Sequence, residues 1–476
     1  MLFNSLSFII FFAVVLFLHH RPFSWRVRKF NLLAASYFFY ACWSPPFVLL
    51  LLLSTLIDWW AAARINRHRN NPVLKRAFLA LSLAVNLGFL FFFKYGEFFL
   101  VNFTALLKTA GVAYQPPGAN IILPVGISFY TFQTISYTLD VYHGKERPWK
   151  SLLDFMLYVS FFPQLVAGPI VRAGQFLPQC ENPPGPARSQ IGWGTALMTL
   201  GLFEKIFIAD FLMAPIADRI FDPAAFPSAP EAWAGAAAFS IQIFCDFAGY
   251  STCAIGAALC LGFALPDNFR YPYAAAGFSD FWNRWHMTLS TWLRDYLYIP
   301  LGGNRKGALL QARNLMITML LGGLWHGASW TFVVWGGLHG LFLYIEHGIK
   351  KAARARGLGR PAPLTFAALV LLTYVLACAA WVFFRAADLT QAIRLLAVMT
   401  AGAEGRGNAL LAPIEMVSVF AITALTLGLH GFMRERDLKQ TVCALPFWAR
   451  GLALGILVVL ILGVPAQQKA FIYFQF

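Results

Sequence analysis

Long apolar runs separated by short polar loops are the main pattern along this 476-residue chain. Because a helix needs about 20 apolar residues to cross a bilayer, these runs predict membrane-spanning helices. The runs are continuous rather than alternating, which favours helices over the strands of a membrane β-barrel. Complete crossings are predicted at residues 2–18, 30–43, 47–63, 77–101, 121–142, 192–213, 233–263, 364–383, 414–430 and 449–464.

Two further apolar runs contain breaks and lie between basic loops. Residues 152–171 are interrupted by two prolines and a glycine, which predicts a re-entrant segment whose backbone groups are satisfied by protein or water. Residues 315–345 begin and end beside loops rich in Lys and Arg, so we predict a helical hairpin with His326 near its bend. The predicted fold class is therefore all-α and polytopic, with about 11–12 transmembrane helices plus re-entrant segments.

The composition and charge support a membrane location. Hydrophobic residues make up 59% of the chain and charged residues 12%, whereas soluble proteins carry about 25% charged residues. The net charge of +16 is concentrated in loops such as 21–29 and 64–76. This distribution follows the positive-inside rule rather than indicating a nucleic-acid surface, and its alternation places the N-terminus outside.

The remaining composition gives no sign of a second folding unit or a metal centre. Seven cysteines lie mostly in or beside apolar runs without a CxxC pair, so we interpret them as core residues rather than disulfides or metal ligands. A single domain is predicted over residues 1–476. It comprises N-terminal spans at 1–120, a core with the polar motifs at 121–347 and C-terminal spans at 348–476.

His326 is the first candidate for chemistry because it lies in LGGLWHGASW, inside an apolar run. An ionisable side chain within a membrane faces a cavity, a partner or a relay more often than lipid. A neutral imidazole can accept a proton from a hydroxyl, and the flanking glycines allow another backbone or a substrate to approach closely. The alternative interpretation is a structural histidine bonded to a backbone carbonyl.

His286 is the second candidate, and it lies in the polar-rich stretch 264–313. It follows Asn283 by three positions, so both side chains share one face if this segment is helical. A histidine that only braces an inner-face loop is the alternative. The stretch also contains basic residues that suit a phosphorylated donor, although the positive-inside bias explains them too: Arg284, Arg294, Arg305 and Lys306.

The other polar residues receive structural interpretations. Asp246 is predicted to be a buried carboxyl paired with a basic or hydroxyl group, with a catalytic role as the alternative. His339 and His347 are interpreted as structural, because helical stepping places His339 away from the face of His326. HExxH, GxSxG, GxGxxG and P-loop motifs are absent from the sequence, and no metal site is expected.

Two segments carry a resemblance to the membrane-bound O-acyltransferase family. WNRWHMTLSTWLRDYLYIPLGGNRKG at 282–307 and LGGLWHGASWTFVVWGGLHG at 321–340 resemble the family's paired histidine motifs. PVGISFYTFQTISYTLDVYHG at 124–144, FFPQLVAGPIVRAGQFLPQ at 161–179 and the ending FIYFQF resemble its bacterial AlgI-like, polysaccharide-modifying branch. The resemblance therefore covers nearly the whole chain.

The resemblance implies a funnel-like helical bundle with a central tunnel that joins the two membrane faces. The family's intramembrane histidine falls on His326 and its second histidine on His286, so these are the expected catalytic residues. The expected donor-binding or supporting residues are Asn283, Arg284, Trp285, Arg294, Trp325 and Asp246.

The function implied by the resemblance is that of an inner-membrane O-acetyltransferase. Its co-substrate would be acetyl-CoA on the cytosolic side, with no permanently bound cofactor. The acceptor would be an exported polysaccharide or a periplasmic partner protein, and the surroundings would be membrane lipid. General-base catalysis by His326 and an acetyl-histidine intermediate are both open at this point.

Two alternative functions belong to other classes. A sister branch moves D-alanine from a carrier protein to teichoic acid, and the AlgI-like motifs at 124–179 count against it. A transporter or flippase would also suit a mid-membrane histidine and a basic inner face, although no internal repeat is visible. The thioester that is consumed separates the first alternative, and acetyl release from a labelled thioester separates the second.

Overall fold

The computed structural model describes residues 1, 3–114, 121–181, 188–305, 307–357, 359, 361–402, 409–465 and 471–472. Every regular element in these ranges is a helix, so the predicted all-α class is confirmed. Lys306 and the last four residues of the FIYFQF ending lie outside the described residues.

The helices differ widely in length, and π-helical segments interrupt the described part of the chain at Phe91–Tyr95, Phe203–Met213 and Arg294–Tyr298. In chain order the α-helices are α1 (Leu6–His19), α2 (Trp25–Ala41), α3 (Pro45–Arg67), α4 (Pro72–Leu90), α5 (Gly96–Thr109), α6 (Ile127–Tyr142), α7 (Leu152–Ser160), α8 (Phe162–Leu165), α9 (Ala173–Glu181), α10 (Arg188–Leu202), α11 (Ala214–Ile220), α12 (Ala229–Cys260), α13 (Phe278–Trp282), α14 (Met287–Leu293), α15 (Ala308–His326), α16 (Trp330–Ala355), α17 (Pro363–Arg385), α18 (Leu389–Ala401), α19 (Pro413–Met433), α20 (Leu438–Cys443) and α21 (Phe447–Leu462).

Five helical stretches within the described residues are long and apolar enough to cross a membrane: Pro45–Arg67, Pro72–Thr109, Ala229–Cys260, Pro363–Arg385 and Pro413–Met433. Three shorter apolar helices are Leu6–His19, Leu389–Ala401 and Phe447–Leu462. The multi-pass character is therefore confirmed, while the total of eleven or twelve crossings and the central tunnel stay predictions.

The chain forms two compact units. The first comprises Met1–Met198 with Ser251–Pro266, and the second comprises Thr199–Tyr250 with Asp267–Phe476. The sequence-based division into stretches ending at residues 120 and 347 stays a prediction.

A buried carboxyl, Asp58 of α3, is the polar centre of the first unit. It accepts hydrogen bonds from the Ser82 hydroxyl at 2.5 Å and from Asn86 Nδ2 at 3.0 and 2.8 Å. Thr138 of α6 donates to the same carboxyl at 3.4 Å, so three helices share these bonds. Helix α6 is buried along most of its length, which confirms that this Ser- and Thr-rich helix packs against other helices rather than facing lipid.

The apolar run at residues 152–171, also in the first unit, is broken as predicted. Helix α7 ends at Ser160, and Pro163 lies in the first turn of the short helix α8, where its missing N–H does no harm. The Tyr158 hydroxyl donates to the Val171 carbonyl at 2.9 Å and so supports the backbone beyond the break.

The second unit contains the helical hairpin formed by α15 and α16. His326 is the last residue of α15, and the Ser329 side chain caps the first turn of α16 by accepting from the Thr331 N–H. The predicted bend beside His326 is therefore confirmed. The two helices pack with backbones in close approach: a Cβ at Gly323 would overlap the Phe332 carbonyl. The glycines thus admit another backbone, as their positions predict.

Candidate active site

His326 lies in an aromatic enclosure at the bend of the hairpin. Its side chain is 2% exposed. Its ring centroid lies 5.1 Å from that of Trp325, 5.0 Å from that of Trp335 and 5.4 Å from that of Phe384. Since α15 ends at His326, the imidazole is fixed by the helix on one side and by α16 and α17 on the other.

His286 is fully buried and has a backbone conformation that is rare for its residue type. It joins α13 to α14 with φ 41° and ψ 53°, in the left-handed region. A residue other than glycine in this region stores strain, and such positions concentrate at functional sites. The prediction that Asn283 and His286 share a helical face is therefore wrong, because the left-handed turn breaks the helix between them and leaves Asn283 exposed.

Asn268 fixes the ring of His286. His286 Nδ1 lies 3.1 Å from Asn268 Oδ1, which also accepts from the Thr288 hydroxyl at 2.8 Å and from the Thr288 backbone N–H at 3.4 Å. A backbone N–H can only donate, so this atom is the amide oxygen and His286 Nδ1 donates to it. The neutral ring then has Nε2 as its acceptor nitrogen.

The structure brings three of the predicted site residues together. The rings of His286 and His326 lie 6.3 Å apart between centroids. The Trp325 ring contacts both, at 5.7 Å from His286 and 5.1 Å from His326. His286, Trp325 and His326 therefore form one buried cluster.

Trp285 and Asp246 lie next to this cluster along the chain, because Trp285 precedes His286 and Asp246 precedes Phe247. The indole of Trp285 is fully buried and stacks on Phe281 at 5.5 Å. Asp246 forms an ion pair with Lys205, as its structural interpretation predicts. The next residue, Phe247, places its ring 4.7 Å from that of His286.

Arg284 belongs to an ion-pair cluster, and its predicted donor-binding or supporting role stays a prediction. Its Nε lies 2.8 Å from Asp280, and Arg434 Nη2 lies 2.8 Å from the other oxygen of that carboxylate. Burial raises the pKa of Asp280, but the hydrogen bonds from both guanidinium groups outweigh burial and keep it below its ordinary value. This clamp ties the segment carrying His286 to the end of α19.

Arg294 is exposed, with its Nε 2.9 Å from the carboxylate of its neighbour Asp295. The structure therefore leaves Asn283 and Arg294 at the surface, apart from the buried cluster. Their predicted donor-binding roles stay predictions.

Sequence reasoning missed Asn268 and Trp335. Asn268 lies 18 positions before His286 in a loop, and no spacing rule joins them. Stepping along one helix places His339 away from His326, but the chain reverses between α15 and α16. Both histidine rings contact Trp335, His326 at 5.0 Å and His339 at 4.6 Å. The sequence WTFVVWGGLH after the bend, which contains Trp335 and His339, was the available signal for this contact.

The free energy of unfolding is expected to fall below pH 6.5 partly because of His286. Burial lowers the pKa of His286 to about 3 from an ordinary value of 6.5. Between these values the unfolded chain binds a proton that the folded chain does not. The stabilisation is therefore complete above pH 6.5 and is lost as pH falls towards 3, with a slope of at most about 1.4 kcal/mol per pH unit.

His286→Asn should reduce the slope of unfolding free energy against pH, measured between about pH 5 and 7.5 in detergent. His347→Asn is the matched control, because His347 is exposed and, among the described residues, bonds to its own helix at the Leu343 carbonyl. Equal slopes for wild type and His286→Asn would contradict the prediction.

Comparisons with known proteins show the family of this chain. Residues 147–384, half of the chain and including both histidines, match the MBOAT, membrane-bound O-acyltransferase family. The chain is 41% identical to the probable alginate O-acetylase AlgI of Azotobacter vinelandii, over 79% of this chain and 73% of that protein. It is 36% identical to the probable AlgI of Pseudomonas putida over the full length of both.

A relative with a different named substrate is also similar. The peptidoglycan O-acetyltransferase of Helicobacter pylori is 38% identical over 77% of this chain and 73% of that protein. The family match and the extent of these similarities confirm the family resemblance and make the transporter alternative untenable. The chain belongs to the membrane-bound O-acyltransferase family and is a multi-pass membrane acyltransferase.

Proposed function

We propose that this protein is an O-acetyltransferase of the bacterial inner membrane. It takes an acetyl group from acetyl-CoA on the cytosolic side and passes it to a hydroxyl outside. The acceptor is an exported polysaccharide or peptidoglycan, or a serine of a periplasmic partner protein. The names of relatives that align over most of the chain support an acetyl group and a polymer acceptor.

The observation that carries the proposal is the buried pair of His326 and His286 at the hairpin bend, 6.3 Å apart between ring centroids. His326 acts as the general base. Its neutral imidazole accepts the hydroxyl proton while the hydroxyl oxygen attacks the thioester carbonyl carbon. The C–S bond then breaks, and the departing thiolate takes the proton from His326, so the enzyme returns to its starting state.

His286 orients the reactants. Its Nδ1–H is held by Asn268, so Nε2 is presented as an acceptor with its direction fixed. Trp325 contacts both histidines and excludes water from the space between them. Asp246, Trp285 and Arg284 hold the segments that carry this pair, as described above.

The polar part of the donor binds to the basic stretch 264–313 on the cytosolic side. Arg294 is exposed there and is the candidate for the donor's phosphates, with Asn283 also on the surface. This orientation places the N-terminus outside, as the distribution of Lys and Arg in the loops favours.

The proposal is tested with purified protein in lipid nanodiscs that contain a polysaccharide acceptor. Acetyl-CoA labelled in the acetyl group and D-alanine loaded on a carrier protein are offered separately. Labelled acetyl groups should enter the polymer, whereas D-alanine should not. The signal of His326→Ala gives the background. Transfer of D-alanine, or no thioester consumption with any hydroxyl acceptor, would overturn the assignment.

A further inference from the structure

Helix α16 carries two buried polar side chains one turn apart, Trp335 and His339. Both are fully buried, and their rings lie 4.6 Å apart between centroids. Within the described part of the chain, Trp335 Nε1 and both ring nitrogens of His339 have no hydrogen-bond partner. A polar group buried without a partner is destabilising, so its presence calls for an explanation.

Trp335 contacts the proposed base directly, and His339 contacts Trp335. Trp335 lies edge-on to His326, with centroids 5.0 Å apart and ring planes at 87°. The ring of His339 also contacts that of Trp282, with centroids 5.3 Å apart. The indole of Trp335, the imidazole of His339 and His326 therefore belong to one buried aromatic cluster at the hairpin.

Acyl transfer by a hydroxyl creates a need for such donors. As the new C–O bond forms, the carbonyl π electrons move onto the carbonyl oxygen, which becomes an oxyanion. Hydrogen-bond donors placed in a water-poor site stabilise that charge strongly because they need no reorganisation at the moment of reaction. An indole N–H can only donate, and a neutral imidazole always keeps one N–H.

We propose that Trp335 and His339 form the oxyanion hole of the acetyl transfer, an inference that rests on the function proposed above. The indole N–H of Trp335 and one imidazole N–H of His339 donate to the thioester carbonyl oxygen. His326 holds the hydroxyl proton meanwhile. When the tetrahedral intermediate collapses, the oxygen returns its electron pair to the carbonyl, the C–S bond breaks, and the thiolate receives the proton.

Trp381 provides a matched control on the same cluster. Its Nε1 is also buried without a partner among the described residues, and its ring stacks on Trp335 at 5.6 Å. It differs in having no ring contact with His326 among the described pairs. Phenylalanine at either position removes the N–H and keeps a large aromatic ring, so the two variants lose similar packing.

The test compares Trp335→Phe with Trp381→Phe in the labelled acetyl-CoA assay. Trp335→Phe should lower kcat about 10²–10³-fold, as loss of one oxyanion donor does, with KM changed less than about 3-fold. Trp381→Phe should keep kcat within about 3-fold of wild type. Equal losses in the two variants would overturn the proposal, because packing alone would then explain both.

A second comparison uses His339. His339→Phe should cause a loss of kcat similar to that of Trp335→Phe, and His339→Gln should restore at least part of it because the amide supplies an N–H. This pair decides the matter if Trp335→Phe does not fold. No recovery with a folded His339→Gln overturns the assignment of His339. Wild type that consumes no thioester refutes the proposed function and the oxyanion hole together.

Discussion

Replacing His326 by alanine is expected to reduce acetyl transfer about 10²–10⁴-fold, the usual contribution of a positioned general base. The enclosure by Trp325, Trp335 and Phe384 keeps bulk water away from the bend, so buffer cannot take over the proton transfer. The measurement is incorporation of labelled acetyl groups into the acceptor by protein in nanodiscs.

A matched substitution separates chemistry from folding. His347→Ala changes an exposed histidine on the neighbouring helix α16 and should leave transfer unchanged. Elution volume and thermal unfolding of His326→Ala should match those of wild type closely enough to show a folded protein. Transfer by His326→Ala at the wild-type rate would remove the general base from the mechanism.

Lys205→Met is expected to lower the free energy of unfolding by about 3–5 kcal/mol, the range seen when one partner of a buried ion pair is removed. Lys205 is buried and pairs with Asp246 and, at 2.8 Å, with Asp210. Methionine fills a similar volume, so the loss reports the uncompensated charge of the two carboxylates rather than a cavity. Unfolding in mixed detergent micelles measures the difference.

The double variant Lys205→Met with Asp246→Asn should recover much of that loss, because the more deeply buried of the two carboxylates is then no longer charged. The introduced amide is not ionised, and its oxygen can still accept from the Ile472 N–H, a bond that Asp246 makes at 2.8 Å in the native chain. Lys350→Met is the control: the Lys350 side chain is 47% exposed in its pair with Glu346, so the expected loss stays below about 1 kcal/mol. Equal losses for Lys205→Met and Lys350→Met would contradict the prediction.

The sequence predicted the parts of this protein that depend on local pattern. Continuous apolar runs require helices because a backbone in lipid must satisfy its own hydrogen bonds. The basic loops on both sides of residues 315–345 predicted a hairpin, and α15 does end at His326. The quoted motifs predicted the family, and the isolated buried carboxyl of Asp246 predicted a cationic or hydroxyl partner.

The tertiary structure decided which side chains meet. The left-handed turn at His286 separates it from Asn283, and helical spacing cannot anticipate a strained conformation that long-range contacts impose. Arg284, a candidate for donor binding from its charge, is held in an ion-pair clamp with Asp280 and Arg434. Charge in a loop favours one membrane face but does not specify the partner of each side chain.

Contacts between residues distant in sequence also could not be predicted from local patterns. Asn268 meets His286 across a loop, Lys205 meets Asp246 between two helices, and His339 shares Trp335 with His326 because the hairpin folds back on itself. Periodicity describes one helix at a time. The contacts that orient a catalytic imidazole arise only when several helices pack, so the chain determined its helices, its bend and its family, and packing determined the site.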